Sequence, residues 1–423
     1  MHMKRLAAIA LLISTTAFAD DGAAAVTEPE AAEMGHQQWP SVNELWNETE
    51  TGNGIKDALV NGTVGLNLLL GYEYSDVEGN GRDVAHGVIT RTRLDYLTGE
   101  YKGFSAYVQA QYVGPINDHY APRDPTYDTI ADPEAFRFHQ AYLAYAGYDS
   151  EGRLGSQEIL LDNQRFIGNV GWRLNAQSFN AASVANHSIS NVALYYAYAD
   201  SINRIDGEID RNRQYHMANA EWQACESSKV SAFAYLQRND GVDTLDKLDT
   251  YGVRTWGDSE SFRHEVMVAL QRSAYYGSVF GEVGIEAFDI GGGIEYISGG
   301  NDPDERFQTL DGTGHKFNGW ADQFLGTGGG LEGGLIDFYG QVSTTVSDDL
   351  KLMGVYHYFN TADETAAGFS GEYGQEIDLL AKYPICKNFD VLAKCAYYMK
   401  GEGNADNRTA DETVFWLRGD LRF

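Results

Sequence analysis

Positive charge is in shortest supply here: 31 Lys plus Arg stand against 61 Asp plus Glu in 423 residues, a balance of -30. A phosphate-backbone partner needs clustered cations, so nucleic-acid binding and other basic-patch functions are excluded. Cysteine is scarce too. Cys225, Cys386 and Cys395 are too few for a disulfide scaffold, their odd number leaves one unpaired, and no C-x-x-C or Cys/His cluster offers metal-ligand spacing. Each reads as a small apolar side chain at a strand or turn. No stretch approaches the roughly 18 uncharged apolar residues of a spanning helix, which rules out a helical integral membrane protein. Enzyme signatures are also missing: there is no G-x-S-x-G, H-E-x-x-H or P-loop, and the ten histidines have no Ser or Cys at motif spacing. No catalytic residue, metal ligand or cofactor is therefore assigned. The acid pairs Asp302/Asp304 and Asp348/Asp349 fall in turns and loops, as solvated turn residues or a loop cation site.

What is present begins with an address. Lys4 and Arg5 precede an apolar run from Leu6 to Ile13, and Ala17, Phe18 and Ala19 form an A-x-A cleavage site before Asp20. Residues 1–19 read as a secretory signal peptide, whose two cations would leave with it and take the balance from -30 to about -32. Residues 20–60 are polar, with weak helical periodicity near Asn43 to Thr49, and read as a short periplasmic extension.

From Thr63 to the last residue the dominant period is two. Val88, Thr90, Thr92, Leu94 and Tyr96 share one face while Arg91, Arg93 and Asp95 share the other. Phe104, Ala106, Val108, Ala110 and Tyr112 oppose Ser105, Tyr107, Gln109 and Gln111, and Phe415, Leu417, Gly419, Leu421 and Phe423 oppose Trp416, Arg418, Asp420 and Arg422. The pattern predicts eighteen strands: 63–74, 86–99, 103–113, 137–148, 153–161, 176–185, 189–199, 214–224, 228–238, 249–257, 262–274, 278–288, 291–299, 334–347, 350–361, 372–384, 388–400 and 412–423. Connections after even-numbered strands are short and those after odd-numbered strands long, with 275–277 the exception; 114–136 carries four of the eight prolines. Even strand number, alternating faces and alternating connection lengths are the layout of an all-β antiparallel transmembrane barrel over residues 61–423, with short periplasmic turns and long extracellular loops. Mean hydropathy of -0.38 fits, because lumen and loops accept the charge that lipid excludes. Tyr72, Tyr74, Tyr112, Tyr148, Tyr198, Tyr296, Tyr383 and Tyr398 lie where interfacial girdles would use them. Eighteen strands imply a backbone diameter of roughly 36 Å and a lumen of about 10 to 15 Å, enough for a sugar chain or small solute.

The segment GSQEILLDNQRFIGNVGWRLNAQ, from Gly155, resembles the alginate-export family of outer-membrane porins at Leu161 to Gly168 and Gly171 to Arg173. A second likeness joins His315, Asn318, Gly319, Asp322 and Phe324 with the strand end Tyr296, Ser298 and Gly299. Ser156 and Leu174 depart from the family, where arginine and glutamine are common. The resemblance implies a passive outer-membrane conduit whose arginine-bearing lumen guides a polyuronate or a related acidic solute. Arg91, Arg93, Arg137, Arg165, Arg173, Arg254 and Arg263 are the candidates for that lining. A planar guanidinium takes carboxylates bidentately, and the competing role for each is a lumen salt bridge to acids such as Asp95, Glu158, Glu282 or Glu286. The loop 162–175 carries apolar Phe166, Ile167, Val170 and Trp172, ill placed in bulk water, so it should fold inward. There it would present Arg165, Arg173, Asn163 and Gln164 as a constriction, or else form a structural latch in which Asp162 pairs with the arginines. The implied partners are outer-membrane lipid and the transported anion, with no nucleic acid; nutrient uptake and a non-transporting surface-binding barrel are the alternative functions.

Overall fold

A strand with one apolar and one charged face has to stand between two media, and a ring of such strands leaves no unpaired backbone edge in lipid. The computed structural model describes residues 54–239, 247–325, 330–347, 349–364, 366, 371–402 and 410–423. The signal-peptide reading, the helical periodicity near Asn43 and the acid Asp348 lie outside the described residues. A short helix, α1 (Ile55–Val60), precedes β1 (Thr63–Val77), β2 (Ala85–Leu97), β3 (Phe104–Pro115), β4 (Ala135–Gly147), β5 (Ser150–Gln157), β6 (Ser178–Ile189) and β7 (Val192–Asn203). A two-residue β8 (Ile209–Asp210) folds back on the end of β7. There follow β9 (Arg213–Cys225), β10 (Ser228–Asn239), β11 (Lys247–Ser259), β12 (Phe262–Gln271), β13 (Ala274–Ile285), β14 (Phe288–Ile297), β15 (Leu335–Val346), β16 (Leu350–Asn360), β17 (Glu372–Cys386), β18 (Phe389–Lys400) and β19 (Glu412–Arg422).

Every neighbouring pair is antiparallel, and β7 pairs with β9 directly, so β8 stands outside the ring of eighteen full-length strands. β1 pairs with β19 from Asn67↔Arg422 to Val77↔Glu412 and closes the barrel. The seam extends to the final residue, because Phe423 and Leu66 exchange backbone hydrogen bonds of 2.9 and 3.1 Å. Of the two rims, one carries brief connections such as 148–149, 190–191 and 226–227. The other carries 116–134, 158–177 and 298–334.

The faces fall as the period of two requires. Arg91, Arg93, Asp95, Gln109, Gln111, Trp416 and Arg418 are buried inside, while Leu68, Leu70, Leu94, Phe104, Val108, Tyr112 and Leu417 are exposed on the outer wall. Tyr398 is a correction: it is fully buried and donates to the Tyr373 carbonyl, and its neighbour Tyr397 is the outward ring. The fifth strand ends at Gln157 rather than 161, because Ile159 and Leu161 leave the wall for the interior. The connection expected at 275–277 is the turn 272–273. All three cysteines are free thiols; Cys225 and Cys386 are exposed at strand ends and Cys395 is half-buried.

Leu70 is exposed at the middle of β1 on the lipid-facing wall. Leu70→Arg is expected to destabilise the barrel by roughly 2–4 kcal/mol in denaturant unfolding from lipid vesicles, the cost of a cation near the bilayer midplane. A loss no larger than that of Leu70→Ala would contradict this facing of the strand.

Candidate functional site

The ring is too wide for wall side chains to fill. Two long connections from the same rim, 158–177 and 298–334, turn inward and pack on each other. Their backbones meet as in a strand pair: Ile167 bridges Asp311, the Gly168 N–H donates to the Asp311 carbonyl at 3.1 Å and Thr313 N–H to the Gln164 carbonyl at 2.8 Å. Glycine permits the approach, since a Cβ on Gly312 would stand 2.0 Å from the Arg165 carbonyl oxygen. Val170 adopts φ 52°, a costly region for a β-branched residue; its N–H donates to Thr313 Oγ1 at 3.1 Å.

Apolar contact anchors one half of this plug. Phe166 is 1% exposed and lies 5.0 to 5.7 Å, ring to ring, from Tyr276, Phe307 and Phe233. The other half is an aromatic and cationic stack. Trp172 lies parallel to His315 at 4.6 Å and edge-on to Trp416 at 5.3 Å. Arg418 covers Trp172 at 3.7 Å, and the Lys394 ammonium stands 4.0 Å from Trp172 and 3.8 Å from Trp320.

Charge pairs tie the plug to the wall. Arg165 Nε donates to Glu295 at 2.7 Å and its Nη2 to Asn318 at 2.6 Å, with Glu295 also accepting from Asn318. Arg173 reaches Glu73 at 3.1 Å, Asp322 at 3.3 Å and Asp132 at 3.6 Å. Burial alone would lower the Arg173 affinity for its proton, but the three carboxylates reverse that and hold it charged. His315 accepts from Lys394 on Nε2 at 2.6 Å and shares Nδ1 with Asp322 at 2.8 Å. Burial, reinforced by Lys394 and Arg173, pushes His315 down to about 3 against the opposing pull of Asp322.

A cavity of about 1020 Å³ lies beside the plug and reaches the rim of brief connections, where Glu151, His187, Lys229, Asp258 and Arg263 line it. Its inner end is formed by 158–164 and 316–318. Arg254 donates to Glu265 at 2.5 Å and lies 4.1 Å over Trp256, with Lys229 5.9 Å from the same ring. Lys229 also pairs with Glu221 at 2.7 Å and Arg153 with Glu151 at 2.5 Å; Arg263 pairs with Glu282.

The ten residues singled out from sequence thus fall into three groups, all inside the barrel. Asp162, Asn163, Gln164, Arg254 and Arg263 border the cavity. Arg165 and Arg173 hold the plug. Arg91, Arg93 and Arg137 lie on the β2 and β4 wall, with Arg91 on Asn67 at 2.8 Å, Arg93 on Gln111 at 2.6 Å and Arg137 on the Arg204 carbonyl at 2.7 Å. Among the described residues Asp162 pairs with none of the arginines: it accepts from Ser231 and Tyr235 at 2.5 Å each and from Asn219 at 3.1 Å. Sequence reasoning missed Lys229, Trp256 and Lys394, although their position on the inward parity of their strands was a readable signal.

A closed all-β ring with an apolar outer belt, a polar lined interior and a two-segment plug defines an outer-membrane barrel channel. The alginate export family model matches residues 82–298, and the chain belongs to that family. Among solved structures it is similar to Pseudomonas aeruginosa OccK9 (OpdG), at 14% identity and TM-score 0.63 over 86% of this chain and 100% of that one. It is also similar to Pseudomonas aeruginosa OpdQ (13% identity, TM-score 0.63, 86% and 99% covered) and Acinetobacter baumannii OccAB1 (11%, 0.65, 89% and 99%). At these identities the likeness is one of fold. No curated protein matches the chain.

The buried neutral His315 makes the plug acid-sensitive. A group whose folded pKa is depressed stabilises the fold above its ordinary value and loses that contribution as pH falls toward the folded value. Conductance through the purified barrel should therefore rise as pH falls from about 6.5 toward 3, as His315 gains a proton beside Lys394 and Arg173. His315→Gln should flatten that rise; an identical pH profile in the variant would remove the histidine from the latch.

Proposed function

We propose that the channel carries an anionic polysaccharide or a related acidic solute along the cavity wall, without chemical transformation. The observation that favours this is the pairing of the cavity cations: Arg254, Lys229, Arg153 and Arg263 are each held by an acid and, for Arg254 and Lys229, by the face of Trp256. Cations already satisfied attract a passing carboxylate without trapping it, because a guanidinium exchanges one carboxylate for another at small net cost. Trp256 adds a flat apolar surface for a sugar ring. Arg165 and Arg173 set the bore indirectly, by fixing the plug that narrows it. A second reading, uptake of a small acidic nutrient, is favoured by that same plug, which leaves a polymer little room while it stays seated.

Arg254→Ala combined with Lys229→Ala should lower the anion-to-cation permeability ratio in planar bilayers and weaken block by oligouronates, with the barrel still folded. Unchanged selectivity and block would remove this wall from the pathway. Vesicle swelling with mono- and oligouronates separates the two substrates: entry of monomer alone favours the small solute. A folded protein with no conductance would point instead to a surface-binding barrel.

For orientation, the long connections face the cell exterior and the brief ones the periplasm, with residues 1–19 removed on export and 20–60 a periplasmic extension. Cys225 and Cys386 lie at the rim of brief connections. A bulky maleimide should leave both unlabelled in intact cells yet label Pro125→Cys at an exposed position of the connection 116–134, and the isolated protein should begin at Asp20. Labelling of the two native thiols without Pro125→Cys would invert the barrel.

A further inference from the structure

The outer wall carries the same three-residue arrangement twice. In β1 and β2, Tyr74 stands directly opposite His86, with ring centroids 5.3 Å apart, and Tyr72 OH lies 2.9 Å from His86 Nδ1. In β7 and β9, Tyr198 stands directly opposite His216, with centroids 5.0 Å apart, and Tyr196 OH lies 2.8 Å from His216 Nδ1. Both histidines are exposed, and both lie on the outward parity toward the strand ends at the rim of long connections. That level is where lipid headgroups meet the barrel.

A phenol is the better donor of the pair, so each tyrosine hydroxyl donates to Nδ1 and the ring proton sits on Nε2. No hydrogen bond to Nε2 of either ring is found among the described residues. Ordinary girdle aromatics need no such arrangement, since one amphipathic ring suffices at the interface. Here a second tyrosine fixes the imidazole through Nδ1 and leaves Nε2 without a protein partner among the described residues.

We propose that the two clusters are phosphate-binding sites for outer-leaflet lipid. An exposed arginine lies on the connection above each, Arg82 in 78–84 and Arg211 in 204–212. Acids share those connections, Glu78 and Asp83 on one and Asp206, Glu208 and Asp210 on the other, and Asp76 accepts from Tyr74 at 3.2 Å. A free anion gains little against such neighbours. A phosphate already held at the surface by its own acyl chains does not have to overcome that field from bulk water, so the ligand is a phosphorylated lipid headgroup. Five strand steps separate β2 from β7, at least about 24 Å along the wall, so the clusters serve two lipid molecules.

This inference rests on the long connections facing the cell exterior, which the maleimide labelling tests independently. The barrel is placed in phosphatidylcholine nanodiscs with bis-phosphorylated lipid A or its dephosphorylated form, and bound lipid is counted by native mass spectrometry. The wild-type protein should retain up to two phosphorylated molecules, His86→Ala or His216→Ala one, and the double variant none in preference to the dephosphorylated lipid. Per site, the preference should fall about tenfold, as expected for loss of a charge-assisted hydrogen bond. Tyr72→Phe with Tyr196→Phe keeps the girdle rings but frees the imidazoles, and should reduce the preference as well; this pair also covers a histidine variant that fails to fold. Equal retention of the two lipids by the wild type, undiminished preference in both double variants, or displacement by inorganic phosphate would overturn the proposal.

Discussion

Backbone hydrogen bonding in a medium without water is the constraint on which this architecture depends. Each amide inside the bilayer has to find a partner within the protein, and only a ring in which β1 meets β19 satisfies all of them. Once the ring is closed, each strand has one lipid face and one inner face, so charge is confined to alternate residues. The interior then becomes the only place within the membrane where arginine, lysine and their acids can stand.

Eighteen strands enclose more space than their side chains fill, and the two inward segments answer that excess. They are not draped loosely. Phe166 and Trp172 bring apolar bulk, while Arg165 and Arg173 bring charges that a dry interior tolerates only when paired, and the wall supplies Glu295 and Glu73 at the required height. The segment thus inserts both kinds of group together, and each limits the other's freedom to leave. Around it, the cavity keeps its own cations in pairs, so wall and plug follow one electrostatic rule.

The strand count and the facing of each strand were legible in the sequence because lipid enforces a period of two that no soluble core requires so uniformly. Boundaries were less so where the interior borrowed the same residues: Ile159 and Leu161 continue the alternation of β5 while belonging to the plug. Tyr397 and Tyr398 read alike as girdle aromatics, and only the register against β17 places Tyr398 inside. The inward course of 162–175 could be inferred from its apolar content, yet its partners could not. Arg165 and Glu295 are 130 residues apart in sequence, and Arg173 and Glu73 are 100 apart. Nothing local distinguishes such an acid from one in solvent. Family resemblance located the segments, and only the register brought them together.

The two segments descend from one rim, while the cavity extends to the other. The resistance to flow is therefore lopsided: an ion arriving from one side meets the narrow, charge-dense part first, and from the other side it fills an antechamber before reaching it. Fixed charges placed unevenly along a pore accumulate mobile ions under one polarity and deplete them under the other. A barrel built in this way is a diode in principle, with a current that depends on the sign as well as the size of the applied voltage.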